Sequence, residues 1–369
     1  MSDKAEVVII GGGIIGLGLA WQLADRGIND IIVLEKGYIG VGSSGRAPVI
    51  INQHRTRKEM ITLAKEGVKT LEELPTRLEF NPLFRQDGSI NLASTQEEFD
   101  EIRKNVGLQN SLGVKTELLE PHEIKELIPP INEEKILGGA FIPSDGIPNP
   151  YAVLFGHVNA LTKMGVEIRP FVEAKKIKVR SGETKGVTTK NSDINAPIIV
   201  DAAGGFAGEI AKTAGVKIPI QPMKREVLVT EMLKSSIDPA IISAHGNFYL
   251  AQMLRGEFAC GSTAAKDGDP TLDSSLEFLR WISRRVVELI PQFAYVKIMR
   301  QWAGVIGVTP DKKPIIGGVN GVEGLYLACG LGDYGFTFFP AVTRLLAEDI
   351  TSGETPDLLK PFSPERFEG

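Results

Sequence analysis

The sequence predicts an α/β chain: a Rossmann-like dinucleotide-binding domain interrupted by an inserted, mainly antiparallel β-sheet (α+β) domain. Three observations predict it. An apolar strand runs directly into a glycine turn and a helix within the first 25 residues. The middle of the chain carries strand-like and helical segments that do not alternate as a βαβ series. A late glycine turn, Cys329-Gly330-Leu331-Gly332-Asp333-Tyr334-Gly335-Phe336, feeds a further helix over 340–350.

The first element is Val7-Val8-Ile9-Ile10, a β-branched run that meets Gly11-Gly12-Gly13-Ile14-Ile15-Gly16 without a linker and continues as a helix over 17–25. Gly11 permits the tight turn, Gly13 lets the backbone approach a pyrophosphate, and Gly16 lets the helix pack closely on the strand. Free N–H groups at the helix start then face the phosphates. The second strand, over 30–34, ends on Glu35, where a carboxylate can accept hydrogen bonds from both ribose hydroxyls of an adenosine. An acid there argues against a 2′-phosphate.

Apolar residues at helical spacing predict a helix over 58–74 that ends at Pro75. Beyond it the character changes to a strand over 84–93, an amphipathic helix over 95–112 and a short helix over 120–127 before Pro129-Pro130. The chain returns to the nucleotide domain near Asp145-Gly146, with a helix over 151–164 and strands over 166–169 and 172–179. A buried strand then ends in Asp201-Ala202-Ala203-Gly204-Gly205, small residues that admit a cofactor close to the backbone. Strands over 225–230, 248–253 and 257–261 and a helix over 274–289, stopped by Pro291, complete the insert. The expected division is 1–75, 145–215 and 301–369 for the cofactor domain and 76–144 and 216–300 for the substrate domain.

Composition limits the function classes. With 369 residues, 43% of them hydrophobic, and 24% charged, the chain can build two cores and is not of disordered type. Its net charge of −5, without a basic block, makes nucleic acid a poor partner. Two cysteines, Cys260 and Cys329, give no disulfide framework and no metal-ligand pattern, so no metal is expected. The chain begins at the first strand and contains no long apolar run, so the expected location is cytoplasmic, with peripheral membrane association left open.

A second glycine- and serine-rich loop, Gly40-Val41-Gly42-Ser43-Ser44-Gly45-Arg46, follows Glu35. With the first glycine motif, the Ala202-Ala203-Gly204 segment and the late glycine turn, it resembles the amine- and amino-acid-oxidising flavoproteins of the D-amino acid oxidase superfamily. That group includes glycine oxidase, the sarcosine oxidase β subunit and dye-linked proline dehydrogenases, and the resemblance extends over essentially the whole chain. It implies FAD as cofactor, and so an FAD-binding domain.

The cofactor residues it implies are Gly11, Gly13, Ile14, Ile15 and Gly16, then Glu35 and Lys36, then Ser43, Ser44, Arg46 and Ala47 of the second loop. Val172 is placed to offer backbone groups to the adenine, and Ala203 and Gly204 to contact the nucleotide. Gly304 and the late turn, with Gly330, Gly332, Asp333, Tyr334, Gly335, Phe336 and Thr337, would meet the pyrimidine edge of the flavin. A helix start there stabilises negative charge on the reduced ring.

The resemblance implies hydride transfer from the α-carbon of an amine to flavin N5, giving an imine. Tyr249 lies on the strand that in glycine oxidase supplies a tyrosine to the substrate carboxylate. The carboxylate-gripping arginines of the relatives are missing, since the corresponding positions read Ile306 and Asn52-Gln53-His54-Arg55. Either Arg55, Arg225 or Arg255 takes that role, or the substrate lacks a carboxylate in the usual place. His54 is the candidate to orient substrate, to contact the ring or, in a hydroxy-acid dehydrogenase of the same superfamily, to act as base.

The strand Phe258-Ala259-Cys260-Gly261 carries no oxygen-activating lysine, with Lys224 an exception to be placed by the fold. A dehydrogenase delivering electrons to a quinone, a dye or a partner subunit is therefore favoured over an oxidase. A flavin-carrying subunit relaying electrons in a larger complex is the alternative from another class, and a homo- or hetero-oligomer stays open.

Overall fold

In the computed structural model, residues 3–243, 246–262 and 271–367 are described. Their strands form two sheets, one of ten strands and one of eight. The centre of the first is parallel, in the order Val322–Cys329, Ile198–Asp201, Val7–Ile10, Ile31–Glu35, Glu167–Pro170. Its strands are apolar throughout because both faces are covered. Val7, Ile9 and Val33 point into a core shared with the helices Ile14–Asp25, Lys58–Leu78, Pro150–Lys163 and Gly335–Ser352. Val8, Ile10, Ile32 and Leu34 point the other way, against the Ala174–Arg180 and Glu183–Thr189 hairpin and the helix Ala207–Thr213.

The second sheet runs Ile298–Val308, Gln221–Met232, Glu257–Ser262, Phe248–Gln252, Ala240–Ser243, Ser89–Ala93, Gly138–Ile142, Glu117–Leu119. All of these pairings are antiparallel except that of Ala240–Ser243 with Ser89–Ala93. One face carries Leu228, Leu250 and Cys260 into a core under the helix Leu276–Leu289. Alternation along the strands turns Val227 and Tyr249 to the opposite face.

Three local expectations change. The helix expected to stop at Pro75 continues to Leu78, because Leu74 and Leu78 extend its buried stripe and the last turn tolerates one lost donor. The second glycine loop is not open chain: Ser43–Arg46 forms one helical turn. The boundary expected at 300/301 falls inside the strand Ile298–Val308, which pairs along its length with Gln221–Met232. No helix among the described residues is long and apolar enough to cross a membrane.

Candidate active site

A cavity of about 360 Å³ runs between the two sheets. Its first end is the glycine turn after Val7–Ile10. Gly11 has φ +119°, and a β-carbon there would lie 2.4 Å from the Ala202 carbonyl oxygen. Gly16 is off the lining and acts by packing, since its β-carbon would stand 1.9 Å from the Gly11 oxygen. The Ile14 N–H, at the start of the helix, donates to Ser44 Oγ at 3.0 Å.

Glu35 lines the cavity with its carboxylate already engaged: Oε2 accepts from Gly12 N at 2.9 Å and Oε1 from Gly37 N at 2.8 Å. The acid thus holds the turn, and its remaining lone pairs are what a ribose can use. Lys36 lies over the Phe206 ring, 3.8 Å from its centre. The Val172 N–H donates to the Glu35 carbonyl oxygen at 2.9 Å, which leaves its carbonyl for a ligand.

The second loop is fastened to the second sheet. Ser43 Oγ donates to the Val305 oxygen, Arg46 Nη1 to the Ala303 oxygen at 3.2 Å, and Trp302 Nε1 to the Arg46 oxygen at 2.8 Å. Gly304 faces Arg46 across this seam, where a β-carbon would stand 3.3 Å from the Arg46 β-carbon. Ala47, Ala203 and Gly204 line the cavity, as do Gly330, Gly332, Asp333, Tyr334, Gly335 and Phe336 of the late turn, and also Ile14, Ile15, Gly13 and Ser44 of the first end. Thr337 does not: it is buried, and its Oγ1 accepts from Asn52 N at 3.1 Å. A chain of backbone turns at positive φ (Gly11, Gly204, Gly330, Gly332) along an elongated cavity fits an extended dinucleotide.

At the other end, Arg225, Val227, Ile242, Tyr249 and Ile306 meet the late turn. Arg225 is held bidentately by Asp333, Nε to Oδ1 at 2.9 Å and Nη2 to Oδ2 at 3.0 Å. Burial, and then the Asp333 charge, raise the Tyr249 phenol well above its ordinary value, so it stays protonated. Tyr249 owes its pose to its cross-strand partner Gly261, where a β-carbon would stand 2.0 Å from the phenol oxygen. Gly261→Ala is therefore expected to displace the ring at a cost of roughly 1–3 kcal/mol, leaving flavin content unchanged. Thermal unfolding and the absorbance of the bound flavin, measured together, check this.

His54 and Arg55 are not on the lining. His54 is buried behind it, with Nε2 3.3 Å from the Ser89 oxygen and 4.0 Å from Asp145 Oδ2. Burial lowers its pKa to about 3, so the ring is neutral. Arg55 reaches the cavity wall from behind, donating from Nη2 to Asn52 Oδ1 at 2.9 Å and lying 3.7 Å over the Tyr334 ring. Arg255 is exposed, paired with Glu257 at 2.9 Å, and takes no part.

Two groups escaped the sequence reading. Asn52 lines the cavity and ties Arg55, the His54 N–H and Thr337 together. Asp145, fully buried, accepts from Ser89 Oγ at 2.6 Å and Gln53 Nε2 at 2.9 Å, and burial raises its carboxyl to about 7. Asp145-Gly146 marked only a domain return, and no spacing signal pairs it with Gln53.

Glycine turns on a parallel sheet, set across a cavity from an antiparallel sheet that presents an arginine and a tyrosine, define a two-lobed dinucleotide-dependent oxidoreductase. The chain belongs to the DAO family of FAD dependent oxidoreductases, whose pattern matches residues 6–349. It is 31% identical to the sarcosine oxidase subunit beta of Arthrobacter sp, over 98% of this chain and 91% of that protein. Among solved structures, L-proline dehydrogenase from P. horikoshii is 32% identical with a TM-score of 0.95, covering 100% of this chain and 99% of that one. Glycine oxidase from Geobacillus kaustophilus shares the fold at a TM-score of 0.92 and 23% identity, with both chains fully covered.

Proposed function

We propose that the chain oxidises an amino acid or secondary amine, of the proline, sarcosine or glycine kind, at its α-carbon to an imine. The observation that carries this reading is the meeting of Arg225 and Tyr249 at the cavity end opposite the glycine cradle. Bound in the cavity, FAD would supply the two-electron, hydride-accepting group that this oxidation needs. Gly11, Gly13, Ser44, Glu35 and Lys36 would hold its nucleotide half, and Arg46, Gly330 and Gly332 its flavin half.

Arg225 and Tyr249 hold the substrate carboxylate, while Val227, Ile242 and Ile306 exclude water from the reacting carbon. Tyr249→Phe removes one charge-assisted hydrogen bond and is expected to raise KM about ten- to hundredfold with kcat nearly unchanged. Steady-state kinetics with the preferred amine measure it. The hydroxy-acid reading needs a base, and its candidate, His54, stands outside the lining.

A dehydrogenase is favoured. The strand Glu257–Ser262 holds no lysine, and Lys224 Nζ donates to the Asp273 oxygen at 3.1 Å, off the lining. The acceptor is then a quinone, a dye or a partner subunit. The Arthrobacter relative, named as a subunit, supports the second reading of a flavin-bearing chain within a hetero-oligomer.

Anaerobic titration of the yellow protein with amino acids, cyclic and N-methylated amines and hydroxy acids, followed at the flavin absorbance, tests both. Bleaching by proline, sarcosine or glycine is the expected result. Reduction by a hydroxy acid alone overturns it, and reduction only after a partner chain is added selects the subunit reading.

A further inference from the structure

We propose that Arg225 and Asp333 together form a receptor for a zwitterion, with Asp333 selecting the substrate's ammonium group. The inference rests on the amine-oxidation reading above and names the form in which the substrate is recognised; the ammonium passes a proton to the Asp333 carboxylate before the α-hydrogen leaves, since hydride loss needs the nitrogen lone pair.

The two residues come from different parts of the fold. Arg225 lies on the strand Gln221–Met232 of the second sheet, and Asp333 on the glycine turn before the helix Gly335–Ser352. They meet in a bidentate pair at the cavity end that also holds Tyr249. Both side chains are partly withdrawn from water, Arg225 to 12% exposure and Asp333 to 32%. Apolar Val227, Ile242 and Ile306 line the same region.

In such a setting a purely anionic ligand is penalised. To reach Arg225 its carboxylate must displace Asp333, leaving that charge half-desolvated and uncompensated beside another anion. A cation meets the converse problem at Arg225. An amino acid can enter between the partners, carboxylate to guanidinium and ammonium to Asp333, so that every charge keeps an opposite neighbour. The preformed pair thereby discriminates against hydroxy acids, which share the carboxylate and lack the ammonium.

The test uses the FAD-loaded protein and two matched sets of compounds: L-proline, oxolane-2-carboxylate and pyrrolidine, and sarcosine, methoxyacetate and dimethylamine. Affinity for the amino acids is read from the concentration dependence of anaerobic flavin reduction, and for the fragments from flavin absorbance changes. Asp333→Asn is expected to weaken the amino acid and the amine at least about tenfold and to leave the carboxylate fragment unchanged or tighter. Arg225→Met is expected to weaken the amino acid and the carboxylate fragment while sparing the amine. Asp333→Glu, which keeps the charge, should preserve the wild-type order of preference, and the flavin spectrum of each variant reports its fold.

If Asp333→Asn weakens all three compounds alike, or none, the pair is a structural latch and the inference is overturned. Wild-type protein reduced by an amino acid while the variants fail to discriminate removes only this inference. Wild-type protein reduced by no amino acid removes the proposed function, and the inference with it.

Discussion

Gly16→Val is expected to produce a folded but colourless protein. A β-carbon at this position lies 1.9 Å from the Gly11 oxygen, and that atom is the backbone of the turn. No side chain can swing away to relieve the clash. The helix Ile14–Asp25 must therefore retreat from the strand Val7–Ile10, and the turn that carries Gly11 and Gly13 moves with it. Overpacking of this kind costs roughly 1–3 kcal/mol in an ordinary core. Here the displaced atoms are also those proposed to receive the pyrophosphate, so the same strain is expected to fall on binding, at about ten- to hundredfold in affinity. Flavin content after purification, and after incubation with excess FAD, measures it. A fully yellow variant would mean that the cofactor does not depend on this turn.

Asp145→Asn is expected to change how stability depends on pH. The buried Asp145 carboxyl is raised to about 7 from 3.8, burial being the dominant cause against hydrogen bonds from Ser89 and Gln53. Between those values the native state holds a proton that the unfolded chain has released. Stability from this group is therefore complete below pH 3.8 and is lost as pH rises through 7. His54 runs the other way: lowered to about 3 from 6.5, it contributes stability above pH 6.5 that is lost as pH falls toward 3.

The two slopes oppose each other across the shared window, and removing Asp145 leaves the histidine slope exposed. Relative to wild type, the variant should gain about 1.4 kcal/mol per pH unit as pH rises through that window. Chemical denaturation of both proteins at pH 5 and pH 7 measures it. A difference independent of pH would show that Asp145 stays ionised over the whole range.

What could be read in the sequence was local. Val7–Ile10, the glycine turn and Glu35 are linked by covalent distance and hydrophobic period, so the strand, turn and acid announce themselves. The late turn was legible for the same reason. Pairings across the fold were not. Arg225 and Asp333 are 108 residues apart, and nothing in either segment specifies the other.

His54 and Arg55 sit two and three residues from the lining position Asn52, yet the direction of the chain after it turns their side chains behind the wall. Asn52 itself drew notice only as the place of a missing arginine, whereas its amide gathers the groups around it. The strand Ile298–Val308 runs across the boundary expected at 300/301, and a continuous ladder carries no compositional break.

The seam between Ser43–Arg46 and Ile298–Val308 bears on how the enzyme moves. Side chains from both partners cross it, to the oxygens of Val305, Ala303 and Arg46. The Ser43–Arg46 turn is therefore tied to the opposing sheet, and a clamshell motion would have to tear the two apart. Any opening of the lobes as a gate would have to break all three of these hydrogen bonds. A resting protein fastened in this way would have its reactive geometry set before substrate arrives, with no assembly step in each turnover.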